Sequence, residues 1–236
     1  MKTVCVIQHT EAEYLGLMED HFEGRNIRFI YKRPFTAGGT LPTGPEGFDG
    51  LMLLGGGPYG IVSGHILPSL GPELRLASAF LKAGLPVVGF GLGALVLATA
   101  AGGGAAEAPL RFELLTAERT GLGDSFLQVP QYFPLAQYLR DEPVLPRGAV
   151  KIAVCSQGRP LVFSVNDNSL GFTGHPGMKR GMAEDLIMEF TETPPDTPCT
   201  LQALADAQIE IASVLNDLMV ATVRHSGLME NAHMPG

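Results

Sequence analysis

The sequence predicts an α/β fold in three layers, with a mostly parallel central sheet and helices that flank it. Apolar runs of strand length alternate with amphipathic stretches of helix length over the N-terminal part of the chain. Segments rich in glycine and proline separate these runs, as is typical of loops. Because strands that alternate with helices are joined by right-handed crossovers, the pattern indicates a sheet that is covered on both faces.

The predicted elements follow one another in a regular order. Residues 3–9 form an apolar run suited to a buried parallel strand, and residues 12–25 show helix-like spacing of their apolar side chains. The next predicted strands are residues 26–34, 48–58 and 85–90, and the next predicted helices are residues 71–84 and 92–104. Ligands of such sheets bind at the carboxyl ends of the strands, so we expect the glycine loop 55–58 and the turn at Gly91 on one rim.

Shorter segments of mixed character follow Gly104. The runs 111–118, 150–158, 160–167 and 169–177 are predicted to extend the sheet in an antiparallel or mixed manner. A proline cluster at 194–198 breaks the pattern, and residues 201–223 return to helical spacing. We therefore expect one domain over residues 1–193 and a C-terminal helical extension over residues 194–236, with its helix packed on the core.

Charge and hydropathy exclude two classes of partner. The chain of 236 residues has a formal net charge of -8 and no run of lysine or arginine, which argues against a nucleic acid. Its N-terminal apolar run is too short for a signal peptide. Asp206, Glu210 and Asp217 interrupt the last apolar region, so no membrane partner is expected. These features predict a soluble, cytoplasmic protein.

The cysteines are odd in number and far apart. Cys5, Cys155 and Cys199 show no paired spacing, which predicts neither a disulfide framework nor a zinc site. Cys5 and Cys155 are expected inside strands, where cysteines are usually inert. The acidic residues and histidines offer no pair at ligand spacing, so we expect no metal and no cofactor.

Three alternating glycines join the strand at 85–90 to the helix that follows it. A catalytic turn of the form Gly-x-nucleophile-x-Gly carries Ser or Cys at its tip, and its outer glycines avoid a collision with neighbouring backbone. The outer glycines are Gly89 and Gly93 here, and the tip is Gly91. The motif is that of a nucleophile turn without a nucleophile.

Four blocks of sequence resemble the class I glutamine amidotransferases, such as the glutaminase domain of GMP synthase. They are GLMLLGGGP, LKAGLPVVGFGLGALVLATAAGGG, FPLAQYLRDEPVLPRGAVKIAVC and SLGFTGHPG, and the resemblance runs from about Gly38 to about Phe190. It implies a flavodoxin-like fold. It also implies the chemistry of that family, in which a Cys thiolate attacks the glutamine carboxamide with the help of a His and a carboxylate.

The resemblance assigns the catalytic positions one by one. The nucleophile position falls on Gly91, the histidine position on His175, and the acid position on Gly177, so the cysteine and the glutamate of the triad are replaced. His175, without these partners, is interpreted as a hydrogen-bonded structural histidine rather than a residual base.

The resemblance also assigns the pocket. A glutamine that helps to hold substrate falls on Leu95, and a histidine of the middle block falls on Leu139. The backbone amides of Gly57 and Leu92 fall at the oxyanion positions, which any residue type can supply. Donors alone leave roughly 10³ to 10⁴-fold catalysis over water in comparable serine systems, so ordinary glutamine hydrolysis is expected to be lost.

Three functions remain open at this point. The first is a degenerate amidotransferase-like protein that binds a small-molecule ligand or regulates a partner synthase, alone or as a homodimer, and the losses favour it. The second is an active amidotransferase that supplies ammonia to a synthase, through a nucleophile such as Cys5 or Cys155. The third is a different hydrolase or transferase that uses the oxyanion loop with His175 as its base.

Overall fold

A nine-stranded sheet forms the centre of the computed structural model, which describes residues 1–228. The strands are β1 (Lys2–Ile7), β2 (Ile27–Lys32), β3 (Gly50–Leu53), β4 (Val87–Phe90), β5 (Gly104–Ala106), β6 (Arg111–Arg119), β7 (Tyr132–Leu139), β8 (Glu142–Val144), β9 (Val150–Val154), β10 (Pro160–Val165) and β11 (Ser169–Phe172). The helices are α1 (Met18–Glu23), α2 (Leu70–Lys82), α3 (Leu92–Ala100), α4 (Arg180–Glu189), α5 (Thr197–Asp206) and α6 (Gln208–His225).

The strand order across the sheet is β2-β1-β3-β4-β11-β10-β9-β6-β7. Strands β2, β1, β3, β4 and β11 pair in parallel, and the remaining neighbours pair antiparallel. Strands β5 and β8 form a separate two-stranded sheet. The predicted parallel half and its antiparallel extension are therefore both confirmed.

Alternating side chains of the parallel strands feed two separate apolar layers. On one face Val4 and Val6 of β1 join Leu215 of α6 in one hydrophobic cluster. On the other face Cys5 and Ile7 of β1 join the helices α2 and α3 in a second cluster. The predicted three-layer arrangement is confirmed, because a strand buried on both faces needs apolar residues at every position.

Three elements differ from the sequence predictions. The helix predicted over 12–25 begins only at Met18, because Gly16 has a left-handed backbone (φ 59°) that no α-helix accommodates. The single helix predicted over 201–223 is two helices, α5 and α6, with Ala207 between them. Strand β7 was not predicted at all, since Pro134 lies inside it; β7 is an edge strand, where proline is tolerated.

The C-terminal helices pack against the sheet. Helix α6 contacts β7 and β11, and its Leu218 and Met219 are buried in the same cluster as β1. The predicted domain boundary at residue 193 stays a prediction, and residues 229–236 of the predicted extension lie outside the described residues. Within residues 1–228, no helix combines the length and the apolar character that crossing a bilayer requires.

Candidate active-site remnant at the β4 to α3 turn

The turn between β4 and α3 has the backbone of a nucleophile turn. Gly91 takes φ 53° and ψ -119°, and its amide donates a hydrogen bond to the carbonyl of Phe172, at 2.8 Å. A Cβ at Gly89 or at Gly93 would collide with backbone, as the motif requires. A Cβ at Gly91 would lie 3.3 Å from Cα of Gly55, so the tip alone has room for a side chain.

The predicted pocket residues are brought together, but in an apolar environment. Leu92, Leu95 and Leu139 are at most 1% exposed and belong to one hydrophobic cluster. A glutamine substrate presents polar groups at both ends, and burying these without hydrogen bonds is costly. The side chains of this cluster offer them no partner.

His175 is held by backbone groups on both sides of its ring. Its Nε2 lies 2.8 Å from the carbonyl oxygen of Tyr14, and its Nδ1 lies 3.2 Å from the amide nitrogen of Gly177. Because an amide can only donate, we assign the proton to Nε2, which donates to Tyr14, while Nδ1 accepts. Burial lowers the pKa of His175 to about 4, although the Tyr14 carbonyl acts in the opposite direction.

The acid position is surrounded by apolar side chains. A Cβ at Gly177 would lie 3.4 to 3.5 Å from atoms of Leu17, Leu215 and Met18. A carboxylate at this position would therefore be placed among groups that cannot pair with it.

Glu13 occupies the glycine loop, and the sequence analysis did not identify it. Its Oε2 accepts a hydrogen bond from the Gly57 amide at 2.5 Å, and a Cβ on Gly55 would collide with the carboxylate. The predicted oxyanion donor at Gly57 is thus taken by a side chain of the same chain. Burial raises the pKa of Glu13 to about 7, although the Gly57 amide and the nearby His9 lower it. The available signal was a polar run, residues 8–13, directly after a rim strand.

A second buried polar network adjoins the same loop. His9 Nδ1 lies 3.0 Å from the carbonyl oxygen of Gly55, and His9 Nε2 lies 2.7 Å from Oε2 of Glu73. The hydroxyl of Ser69 donates to Oε1 of Glu73 at 2.5 Å. Burial alone would lower the pKa of His9, but the charge and hydrogen bond of Glu73 raise it above its ordinary value. The pair is therefore a buried imidazolium and carboxylate.

The segment at the end of α4 covers the glycine loop. A Cβ at Gly57 would lie 2.8 Å from the ring of Phe190, and this ring meets the ring of Tyr59 edge to face at 5.9 Å between centroids. Beyond it, Glu192 forms an ion pair with Arg140, which also donates from Nε to the Pro58 carbonyl at 2.9 Å. These contacts close the rim above Gly57.

The two candidate replacement cysteines differ in their surroundings. Cys5 lies inside β1, where burial raises the pKa of its thiol to about 12. Cys155 is buried, but the prediction that it lies inside a strand is wrong, because β9 ends at Val154. Burial would raise the pKa of the Cys155 thiol, yet hydrogen bonds from the Gln157 and Arg159 amides and the Arg159 guanidinium lower it.

The sheet order, the rim loops and the β4 to α3 turn together define the fold of the glutamine amidotransferases. Comparison with solved structures supports this assignment. A glutamine amidotransferase from Methylobacillus flagellatus superposes with a TM-score of 0.80 at 21% identity, covering 100% of this chain and 99% of that one. A glutamine amidotransferase from Thermotoga maritima gives a TM-score of 0.78 at 23% identity, covering 95% of this chain and 98% of that one.

More distant assemblies share the fold. The structure of PurLQS from Thermotoga maritima matches with a TM-score of 0.52 at 13% identity, covering 87% of this chain and 99% of that one. No family model matches the sequence, and no curated protein matches it. The fold class predicted from the sequence is thus confirmed, while the site residues predicted at Gly91, His175 and Gly177 remain predictions.

Proposed function

We propose that this chain is a glutamine amidotransferase-fold protein that has lost glutamine hydrolysis and binds a small metabolite. The observation that carries the proposal is the combination at the β4 to α3 turn. The tip is Gly91, the Gly57 amide is engaged by Glu13, and both ring nitrogens of His175 are engaged by backbone. Nucleophile, oxyanion donor and base are therefore each absent or occupied.

Two alternatives draw on specific observations. A role beside a synthase is favoured by the likeness to PurLQS, and regulation of such a partner is our second candidate. A different hydrolase that uses His175 as a base is disfavoured, because a neutral imidazole with both nitrogens bonded to backbone has no free lone pair. We place the protein in the cytoplasm as part of this proposal.

The test is glutamine turnover by the unmodified protein. We expect the release of ammonia and glutamate to equal that of a buffer blank between about pH 6 and about pH 9, because covalent catalysis supplies most of the rate for such an amide. A rate proportional to protein concentration would overturn the proposal. Cys155→Ser and Cys5→Ser would then locate the nucleophile, since only the variant that lacks it would lose the rate.

A further inference from the structure

A cavity of about 190 Å³ opens beside the His9 and Glu73 pair. It is lined by His9, Pro34, Phe35, Tyr59, Leu67, Pro68 and Ser69. Gly91 is not among these residues, so the cavity is distinct from the β4 to α3 turn. His9 separates the two places, because its ring lines the cavity while its Nδ1 bonds to the carbonyl of Gly55.

The cavity walls are mostly flat or apolar groups. Phe35 and Tyr59 contribute aromatic rings, and the buried imidazolium of His9 contributes a cationic one. Aromatic ligands gain from edge-to-face and stacked contacts with such rings, and from contact with a cation. Phe35 is 40% exposed although it is a large apolar side chain, which leaves one ring surface available to a ligand.

The size of the cavity limits the ligand. An engineered apolar cavity of about 150 Å³ binds benzene, so a cavity somewhat larger than that accommodates one ring with a few further atoms, or a small fused pair of rings.

Ser69 sets the polarity of the ligand. Its hydroxyl hydrogen is directed to the Glu73 carboxylate at 2.5 Å, so the Ser69 oxygen has lone pairs left to accept but no hydrogen to donate. The two ring nitrogens of His9 are likewise engaged, by Glu73 and by the Gly55 carbonyl. A ligand group that donates a hydrogen bond therefore fits the polar end of the cavity, whereas a group that only accepts does not.

We infer that this cavity is the metabolite site, and that it takes a small aromatic molecule with one N–H or O–H donor, which binds to Ser69. The inference rests on the proposed function, since it names the ligand class of a protein that binds rather than hydrolyses. The aromatic ring lies among Phe35, Tyr59 and His9. No covalent step is involved.

Indole and 1-methylindole form a matched pair of probes, because the methyl group removes the only donor and leaves the rings unchanged. The chain contains no tryptophan, so indole emission excited beyond the absorption of tyrosine comes from the probe alone. We expect a saturable blue shift of indole emission on titration with the full chain. We expect 1-methylindole to bind about tenfold more weakly, the value of one hydrogen bond to a charge-polarised acceptor.

Three variants sharpen the result. Ser69→Ala should abolish the difference between the two probes, and Phe35→Ala should weaken both by about threefold to tenfold. Ser69 caps no backbone amide with its side chain, so both variants are expected to keep the fold, which circular dichroism checks. Ile209→Ala, at a residue 86% exposed on α6, is the matched control and should leave both affinities unchanged.

Two results would overturn the inference: the absence of saturable indole binding to the unmodified chain, or an unchanged ratio of the two affinities in Ser69→Ala. Failure here is distinguishable from failure of the proposed function. Glutamine turnover by the unmodified protein would contradict the proposed function whatever indole does. Silent glutamine assays together with no indole binding would remove this site alone.

Discussion

Replacement of Glu73 by alanine is expected to lower the free energy of unfolding by about 3 to 5 kcal/mol. Both side chains of the His9 and Glu73 pair are completely buried, and their atoms are 2.7 Å apart. Removing the carboxylate leaves a buried imidazole that must either keep an unpaired charge or lose its proton. It also removes the acceptor of the Ser69 hydroxyl. Chemical denaturation near neutral pH measures the loss.

Glu73→Gln is the matched variant. The glutamine amide can donate to a neutral His9 through Nε2 and its oxygen can accept from Ser69, so both hydrogen bonds of Glu73 are retained in an uncharged form. We expect a loss of only about 1 kcal/mol for this variant. Equal losses for alanine and glutamine would show that the buried charge, rather than hydrogen bonding, determines the stability of the pair.

Glu13→Gln is expected to become progressively more stable than the unmodified protein as the pH rises. The pKa of Glu13 is raised from 4.5 to about 7 in the folded state, because the carboxyl group is buried. A raised pKa contributes stability that is complete below the pKa of the unfolded chain and is lost as the pH rises through the folded value. Glutamine stays neutral and does not lose it.

The expected gain follows from the size of the pKa shift. Between about pH 4.5 and about pH 8 the difference in unfolding free energy should shift by about 3 kcal/mol in favour of Glu13→Gln. Urea denaturation across this range measures it, and Glu11→Gln, at an exposed neighbouring position, is the control. A constant difference across the range would mean that Glu13 ionises as easily in the folded protein as in the unfolded chain.

The sequence predicts the parallel half of the fold better than the antiparallel half. Strands such as β3 and β4 are short, apolar on both faces and followed by glycine, so their pattern is unambiguous. Strand β7 carries Pro134 and lies at the sheet edge, where only the tertiary pairing with β6 defines it. The break at Ala207 is also invisible in the sequence, since no glycine or proline marks it.

The candidate site divides in the same way. The β4 to α3 turn could be located from its glycines, because close backbone contacts at Gly89 and Gly93 permit no other residue. Glu13 could not be placed on the Gly57 amide, because residues 8–17 form an irregular loop whose path is set by tertiary hydrogen bonds. The partnership of His9 with Glu73 spans 64 positions of the sequence and depends on the packing of α2.

The most direct test of the central claim, that the whole site rather than its nucleophile alone has diverged, is glutamine turnover by Gly91→Cys. The turn has room for the new side chain, and circular dichroism would check the fold. We predict that this variant releases no more ammonia than the unmodified protein, because Glu13 still occupies the Gly57 amide and His175 still lacks a free nitrogen. Turnover that appears with the cysteine would contradict the claim and show that the pocket for glutamine is intact.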